Sequence, residues 1–300
     1  MPAVSVVAPL HNEEGNVEPL YKGVRSALEP FGRDYEMIFV NDHSSDQTLA
    51  KLKMLQTADE RFHFVDLAEN VGENWALLAG VSKATGAVIV TIDGDFQNDP
   101  VFIPALIKKL EGGYRVVSGW RRKRVGNFVT RVLPSIVANK LISWLSGVPV
   151  HDCGCGLKAY RRDVLAGKFV PRGFMNRFSP VAFGVGGREF SEIEITDQMR
   201  VYGKSHYGLK RILIVLNDLL VIPFLRHPWE KMRSILGTLA VAAIFGMVVS
   251  LAAAWKLGSH WLPVSLAFTA VYALCRSVHW NLGRFIVAQS EPGFTISEFR

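Results

Sequence analysis

Cysteine is scarce in this chain. Its three residues, Cys153, Cys155 and Cys275, are odd in number and irregular in spacing. That excludes a disulfide framework, and Cys-x-Cys is not the Cys-x-x-Cys of zinc sites or redox enzymes. Reduced thiols in a cytosol-facing protein are the expectation. The chain also lacks the Gly-x-Gly-x-x-Gly fingerprint and the P-loop pattern, any nucleic-acid recognition motif, internal repeats and low-complexity segments. The opening Met-Pro-Ala-Val-Ser-Val-Val has no positively charged n-region and runs straight into a strand-like segment. A secretory signal is therefore not expected, and the first domain should stay on the side where it is made. Finally, no charged residue interrupts Ile235 to Trp255, a run long enough to cross a hydrocarbon core of ~30 Å.

What is present fits one α/β domain with a smaller apolar appendage. The chain has 300 residues, 49% of them hydrophobic, with a formal charge of +7 and a mean hydropathy of +0.18. The positive balance points to an anionic partner without choosing among nucleic acid, membrane and phosphorylated substrate. Short apolar runs at Val4–Ala8 and Met37–Val40 read as buried strands, Phe62–Leu67 reads as a further strand, and Val88–Ile92 is the most strand-like segment of all. Helical spacing fills the intervals at Val17–Leu28, Ala50–Gln56 and Trp75–Lys83. Alternation at this spacing predicts a mostly parallel, Rossmann-like sheet with helices on both faces. Its ligand edge lies where the strands end.

After about residue 206 the pattern changes. Leu209–Leu225 is apolar but broken by Lys210, Arg211, Asn217, Asp218 and Pro223, which suits a helix lying in a membrane interface. Two spanning helices are expected at about 235–255 and 261–281. A hairpin would bring Arg276, His279 and Arg284 to the side that holds Arg226, Lys231 and Arg233, as the positive-inside tendency requires. The rival reading is a buried helical hairpin in a soluble protein. The expected organisation is a cytoplasmic catalytic domain at 1–206, juxtamembrane amphipathic helices at 207–233, two transmembrane helices within 234–284 and a cytoplasmic tail at 285–300.

Three stretches at strand ends carry the chemistry. Thr91-Ile92-Asp93-Gly94-Asp95-Phe96-Gln97-Asn98-Asp99-Pro100 places two carboxylates at i, i+2, and a turn at Gly94 can converge them on one ligand. Hard oxygen donors suit Mg²⁺ or Mn²⁺, which bridge substrate phosphates and keep waters. A turn built by Asp for local hydrogen bonding is the plainer use of the same residues. Pro9-Leu10-His11-Asn12-Glu13-Glu14-Gly15-Asn16 and Asn41-Asp42-His43-Ser44-Ser45-Asp46-Gln47-Thr48 set carboxylates and amides on the same sheet edge. Such groups can accept the N–H of a base or the hydroxyls of a ribose. Helix caps at Asn16 and Ser45 are their structural alternative.

Taken together these stretches resemble the family 2 glycosyltransferases of the GT-A fold, in the dolichyl/polyprenyl-phosphate mannosyl- and glucosyltransferase group. The resemblance continues through Asn70-Val71-Gly72-Glu73-Asn74-Trp75-Ala76, Ser118-Gly119-Trp120-Arg121, Asp152-Cys153-Gly154-Cys155-Gly156-Leu157-Lys158 and Arg200-Val201-Tyr202-Gly203-Lys204-Ser205. It implies transfer of a sugar from a nucleotide-diphosphate donor to a polyprenyl phosphate at the cytoplasmic membrane, with inversion and a divalent metal. By resemblance, Pro9, Asn12, Glu13 and Asp42 hold the base and ribose. Asp93, Asp95 and Gln97 surround the metal and diphosphate. Asp152 lies by the reacting sugar as base or orienter, and Arg121, Arg131 and Ser135 meet the acceptor phosphate. Arg200 and Ser205 belong to a segment closing over the donor phosphates. A homo-oligomer is compatible with the resemblance, and nucleic acid is not a partner.

Two positions depart from the family pattern. His206 stands where a lysine often follows the serine, and Gly283-Arg284-Phe285 replaces a Gly-Glu-Tyr stretch with its later arginine. A glycan-hydroxyl acceptor is the runner-up, but the Gln-x-x-Arg-Trp stretch of such enzymes is missing. A non-catalytic nucleotide-binding scaffold leaves the carboxylates at 93, 95 and 152 without a use.

Overall fold

The structure, a computed structural model, describes residues 3–122, 133–165, 180, 183–196, 229–290 and 293–300. They belong to two compact units. One is formed by 1–208 together with 292–300, the other by 209–291.

The first unit is built on strands β1 (Val4–Leu10), β2 (Tyr35–Asn41), β3 (Phe62–Leu67), β4 (Val88–Thr91), β5 (Val116–Arg121), β6 (Lys158–Arg161), β7 (Phe190–Ile195) and β8 (Ile296–Phe299). Helices α1 (Val17–Leu28), α2 (Thr48–Ala58), α3 (Glu73–Lys83), α4 (Ile103–Glu111), α5 (Leu133–Ser146) and α6 (Arg162–Leu165) connect them. The eight strands form one sheet in the order β7-β5-β6-β4-β1-β2-β3-β8. Strands β4, β1, β2 and β3 run parallel, whereas β6 is antiparallel to both of its neighbours. β8, from the far end of the chain, closes the other edge antiparallel to β3.

The apolar runs explain the centre. Every residue of β2 is buried, as expected for a parallel strand covered on both faces. In α1, Val17, Leu20, Tyr21, Val24 and Leu28 form one buried stripe, the i, i+3, i+4, i+7 spacing that lays a helix on a sheet. Beneath it the Phe39 and Phe62 rings meet edge to face at 5.0 Å, and each large side chain so buried contributes about 1.5–3 kcal/mol. Gly80 lets α3 settle onto the sheet, since a Cβ there would lie 2.4 Å from Val7 Cγ1.

In the second unit, α7 (Trp229–Leu257) and α8 (Leu262–Ser290) flank a short turn at Ser259–Trp261. Both are long and apolar enough to cross a membrane. Their large apolar side chains point outward, with Phe245 71% and Leu266 70% exposed. A hairpin serving as a soluble core would bury them, so the outward apolar surface favours lipid as its surroundings. Between the helices Ser250 and Ser265 share a hydrogen bond at 2.8 Å, and Gly246 admits the Phe268 ring. Small and hydroxylic residues at the seam are what close packing in lipid needs. The expected interfacial helix at 209–225 lies outside the described residues.

Candidate active site

The loops after β1 and β2 are laced together. The Asn12 and Glu13 backbone amides donate to Ser44 Oγ and Thr48 Oγ1 at 2.9 and 3.0 Å. In return the Ser45 amide donates to Asn12 Oδ1 at 2.8 Å. Asn12 and His43 reach this arrangement with φ of 55° and 54°, a left-handed conformation tolerated best by Asn among residues with a Cβ. Of the two capping alternatives, Asn16 does occupy the N-cap of α1, whereas Gln47 and not Ser45 occupies that of α2. Asn16 flanks α1 but donates its side-chain amide to Glu13 Oε2 at 2.5 Å. Ser45 lies ahead of α2, where Asp46 Oδ1 accepts the Thr48 amide instead.

Asp42, at the end of β2, is almost fully buried. Its carboxylate accepts the Val71 and Gly72 amides at 2.8 and 2.9 Å. Gly72 adopts φ 86° just ahead of α3, a conformation that favours glycine. The acidic side chain is therefore held in place by the β3–α3 loop, which sequence reasoning had not connected to it.

β4 ends at Thr91 and the chain turns through Asp93-Gly94-Asp95. A Cβ on Gly94 would lie 2.4 Å from the Pro9 carbonyl oxygen, so this turn nests directly on the end of β1. Gly156 is equally constrained, because a Cβ there would lie 1.8 Å from Asp93 Oδ1. The Asp93 carboxyl thus rests against the backbone leading into β6. Burial, then the charges of Glu73 and Asp95, push it up to about 8. Asp95 Oδ1 accepts the Gln97 amide at 3.2 Å, which holds the expected metal-side residues in one turn.

Asp152 is fully buried and accepts four N–H groups: the Arg121 amide, Arg121 Nε and Nη2, and the Gly154 amide. The fork approaches at 2.8 and 3.2 Å, the bidentate geometry that suits a guanidinium and a carboxylate. Three further residues set this loop: Glu192 and Asn139, which no sequence pattern distinguishes, and Lys158, which closes the Asp152–Lys158 stretch. Glu192 on β7 accepts the His151 and Asp152 amides and pairs with the His151 ring at 2.7 Å. Asn139 donates to the His151 carbonyl at 2.6 Å. Ser135 lies one turn earlier on the same helix, α5. Buried Lys158 donates to the Cys155 carbonyl at 2.5 Å. Burial would lower its ammonium, but Tyr160, Cys155 and Asp93 hold it above the usual lysine value. The Cys155 thiol is free and is pushed up to about 12 by burial, which leaves it a poor nucleophile.

The structure thus brings Pro9, Asp93, Asp95 and Gln97 together at one turn. Asn12, Glu13 and Asp42 stand on the adjoining loops, and Arg121 pairs with Asp152. Arg131, Arg200 and Ser205 lie outside the described residues. The model of Glycosyl transferase family 2 matches residues 5–167, which takes in all of these strands and loops through β6. The chain is a family 2 glycosyltransferase. This glycosyltransferase is 37% identical over 225 residues to the dodecaprenyl-phosphate galacturonate synthase of Rhizobium johnstonii, a match covering 74% of this chain and 66% of that one. The chain therefore spans slightly less than two thirds of that relative. Its fold is also that of glucosyl-3-phosphoglycerate synthase from Mycobacterium tuberculosis. The structure of that enzyme with Mn²⁺, UDP and phosphoglyceric acid superposes with a TM-score of 0.58 at 19% identity, covering 74% of this chain and 78% of that one. Its complex with Mn²⁺ and UDP-glucose gives 0.56 at 20% identity, with 74% and 79% covered. The GT-A architecture expected from the sequence is the one observed.

Proposed function

We propose that this glycosyltransferase moves a sugar from a nucleoside-diphosphate donor to a polyprenyl phosphate, from a catalytic domain on the cytoplasmic face of a membrane. One observation carries the reading: a carboxylate-lined sheet edge and two helices of membrane-spanning length occupy one chain. A water-soluble acceptor needs no such hairpin, whereas a polyprenol brings its phosphate to the bilayer surface. The dodecaprenyl-phosphate relative supports the same acceptor class.

Asp42 and the laced loops fit the base and ribose of the donor. The carboxyls of Asp93 and Asp95 fit a divalent cation. Among the described residues, no cluster of three or more His, Cys, Asp and Glu would hold a metal alone. The pair therefore suits Mg²⁺ or Mn²⁺ completed by substrate phosphate and water, with Gln97 beside it. Mn²⁺ in the Mycobacterium tuberculosis structures supports that choice. A bound ion supplies positive charge against the departing diphosphate.

The acceptor is a phosphate monoester, largely dianionic at pH 7 because its second pKa is ~6. It needs positioning and charge neutralisation more than a strong base. Asp152 meets that demand as an orienter: its carboxylate is committed to Arg121 and holds that guanidinium by the acceptor phosphate. Ser135, with Arg131, completes that side, and Arg200 and Ser205 serve the donor phosphates. The displacement is a single inverting step.

The test is transfer of labelled sugar into extractable lipid. Protein in nanodiscs receives undecaprenyl phosphate, Mn²⁺ or Mg²⁺ and a panel of nucleotide sugars. Label entering lipid from one donor, and lost with chelator, is the expected result. Label entering only a glycan hydroxyl acceptor would overturn the assignment.

A further inference from the structure

The chain returns to the catalytic sheet after its hairpin, and it returns beside the donor loops. β8 pairs with β3 through Phe64 N–H to Arg300 O at 2.8 Å and the reciprocal bond at 3.2 Å. The Ala68 amide then donates to Thr295 O at 3.0 Å, just where β3 gives way to the loop. The register shifts between Asp66 and Leu67. Outside the strand, Lys53 pairs with Glu298 at 2.9 Å and Lys83 lies over the Phe299 ring at 5.1 Å.

Protection of an open edge would account for those contacts. It does not account for Gly293 and Phe294, just ahead of Thr295 and β8, which pack against Trp75 of α3. The Phe294 ring packs on Trp75 with centroids 6.0 Å apart. A Cβ on Gly293 would lie 2.6 Å from Trp75 Cε2, so only a bare backbone passes the indole this closely. Trp75, 5% exposed, stands in the first turn of α3. Immediately before that turn are the Val71 and Gly72 amides that grip Asp42, and Glu73 is one of the charges acting on Asp93. The segment 68–75 is thus fastened to the tail at both ends, by the Ala68 amide and the Trp75 ring, while its middle holds Asp42.

We propose that 293–300 is a strap that fixes segment 68–75 in its donor-binding shape, with Gly293 and Phe294 as positioning residues for donor recognition. This rests on the reading that Asp42 faces the donor. The strap ties the chain beyond the hairpin to the half of the site that reads the nucleotide, through its contacts with α2, α3 and β3.

The experiment uses the full chain in nanodiscs, as Phe294→Ala, Gly293→Val and, as an edge control, Glu298→Ala. Phe294→Leu is the milder variant should alanine fail to fold. Amide exchange over 68–76 is read first, without nucleotide, so that it is independent of any donor. Phe294→Ala and Gly293→Val are expected to speed that exchange about tenfold, as for a local opening released from one aromatic anchor. Exchange in β3 should stay unchanged. Donor KM should rise about tenfold, with acceptor KM and kcat within about twofold, and Glu298→Ala should alter neither readout. Unchanged exchange at 68–76, an equal rise throughout β3, or equal shifts of donor and acceptor KM would overturn the strap. If the wild-type chain transfers no sugar at all, the functional reading falls while the exchange result still decides whether the tail holds the loop.

Discussion

Arg121 and Asp152 form a forked ion pair whose side chains are only 14% and 1% exposed. Asp152 is closed off from bulk water and Arg121 largely so. Breaking a buried pair by removing one of its charges costs about 3–5 kcal/mol. Asp152→Asn is therefore expected to lower thermal stability together with transfer. A substitution that abolished transfer while leaving the melting temperature unmoved would favour a general base over an orienter. Arg121→Lys should also fail, since an ammonium cannot reproduce the two-pronged contact.

Gly156 tests the Asp93 placement. A methyl group at 156 would lie 1.8 Å from Asp93 Oδ1, so the carboxyl must move. Gly156→Ala is expected to lower single-turnover transfer by ~100-fold, the scale for an ångström-sized misplacement of a reacting group. Circular dichroism should show the fold retained. Near-normal turnover would separate Asp93 from the chemistry.

Asp95→Ala is expected to abolish transfer while folding and membrane insertion remain intact. Chelation should silence the wild-type enzyme, and Mn²⁺ or Mg²⁺ should restore it. Metal-dependent turnover persisting in Asp95→Ala would remove that residue from the cation site.

Glu192→Gln should act at a distance. Its carboxylate accepts the His151 and Asp152 amides, and Gln offers one acceptor oxygen in place of two. A loss of about 1–3 kcal/mol is expected from the imperfectly satisfied buried groups. The kinetic signature would be a lower kcat with donor affinity preserved, because the disturbed loop carries Asp152. A selective loss of nucleotide binding would contradict this.

The central strands were legible because a covered parallel strand is written as an apolar run, and Val4–Ala8, interrupted only by Ser5, and Met37–Val40 are such runs. The acidic motifs were legible because strand ends in such sheets form the ligand edge. What holds those motifs was not. Glu192 sits on a strand with no motif around it, and Val71 and Gly72 contribute backbone amides that no side-chain pattern announces. β6 hides because its residues, Lys158-Ala-Tyr-Arg161, include a buried lysine that reads as surface. β8 is the clearest omission. Ile296–Phe299 looks like a tail until β3, most of the chain length away, is brought beside it.

That last pairing also orders the assembly of the protein. β8 follows the apolar hairpin along the chain, so ribosomes make it only after both long helices. Until then the backbone groups of β3 facing that edge lack their strand partner, and an unpaired edge invites association with other chains. The catalytic sheet can reach its final width only once the hairpin has been synthesised, which places completion of the sheet after the two long helices and not before them.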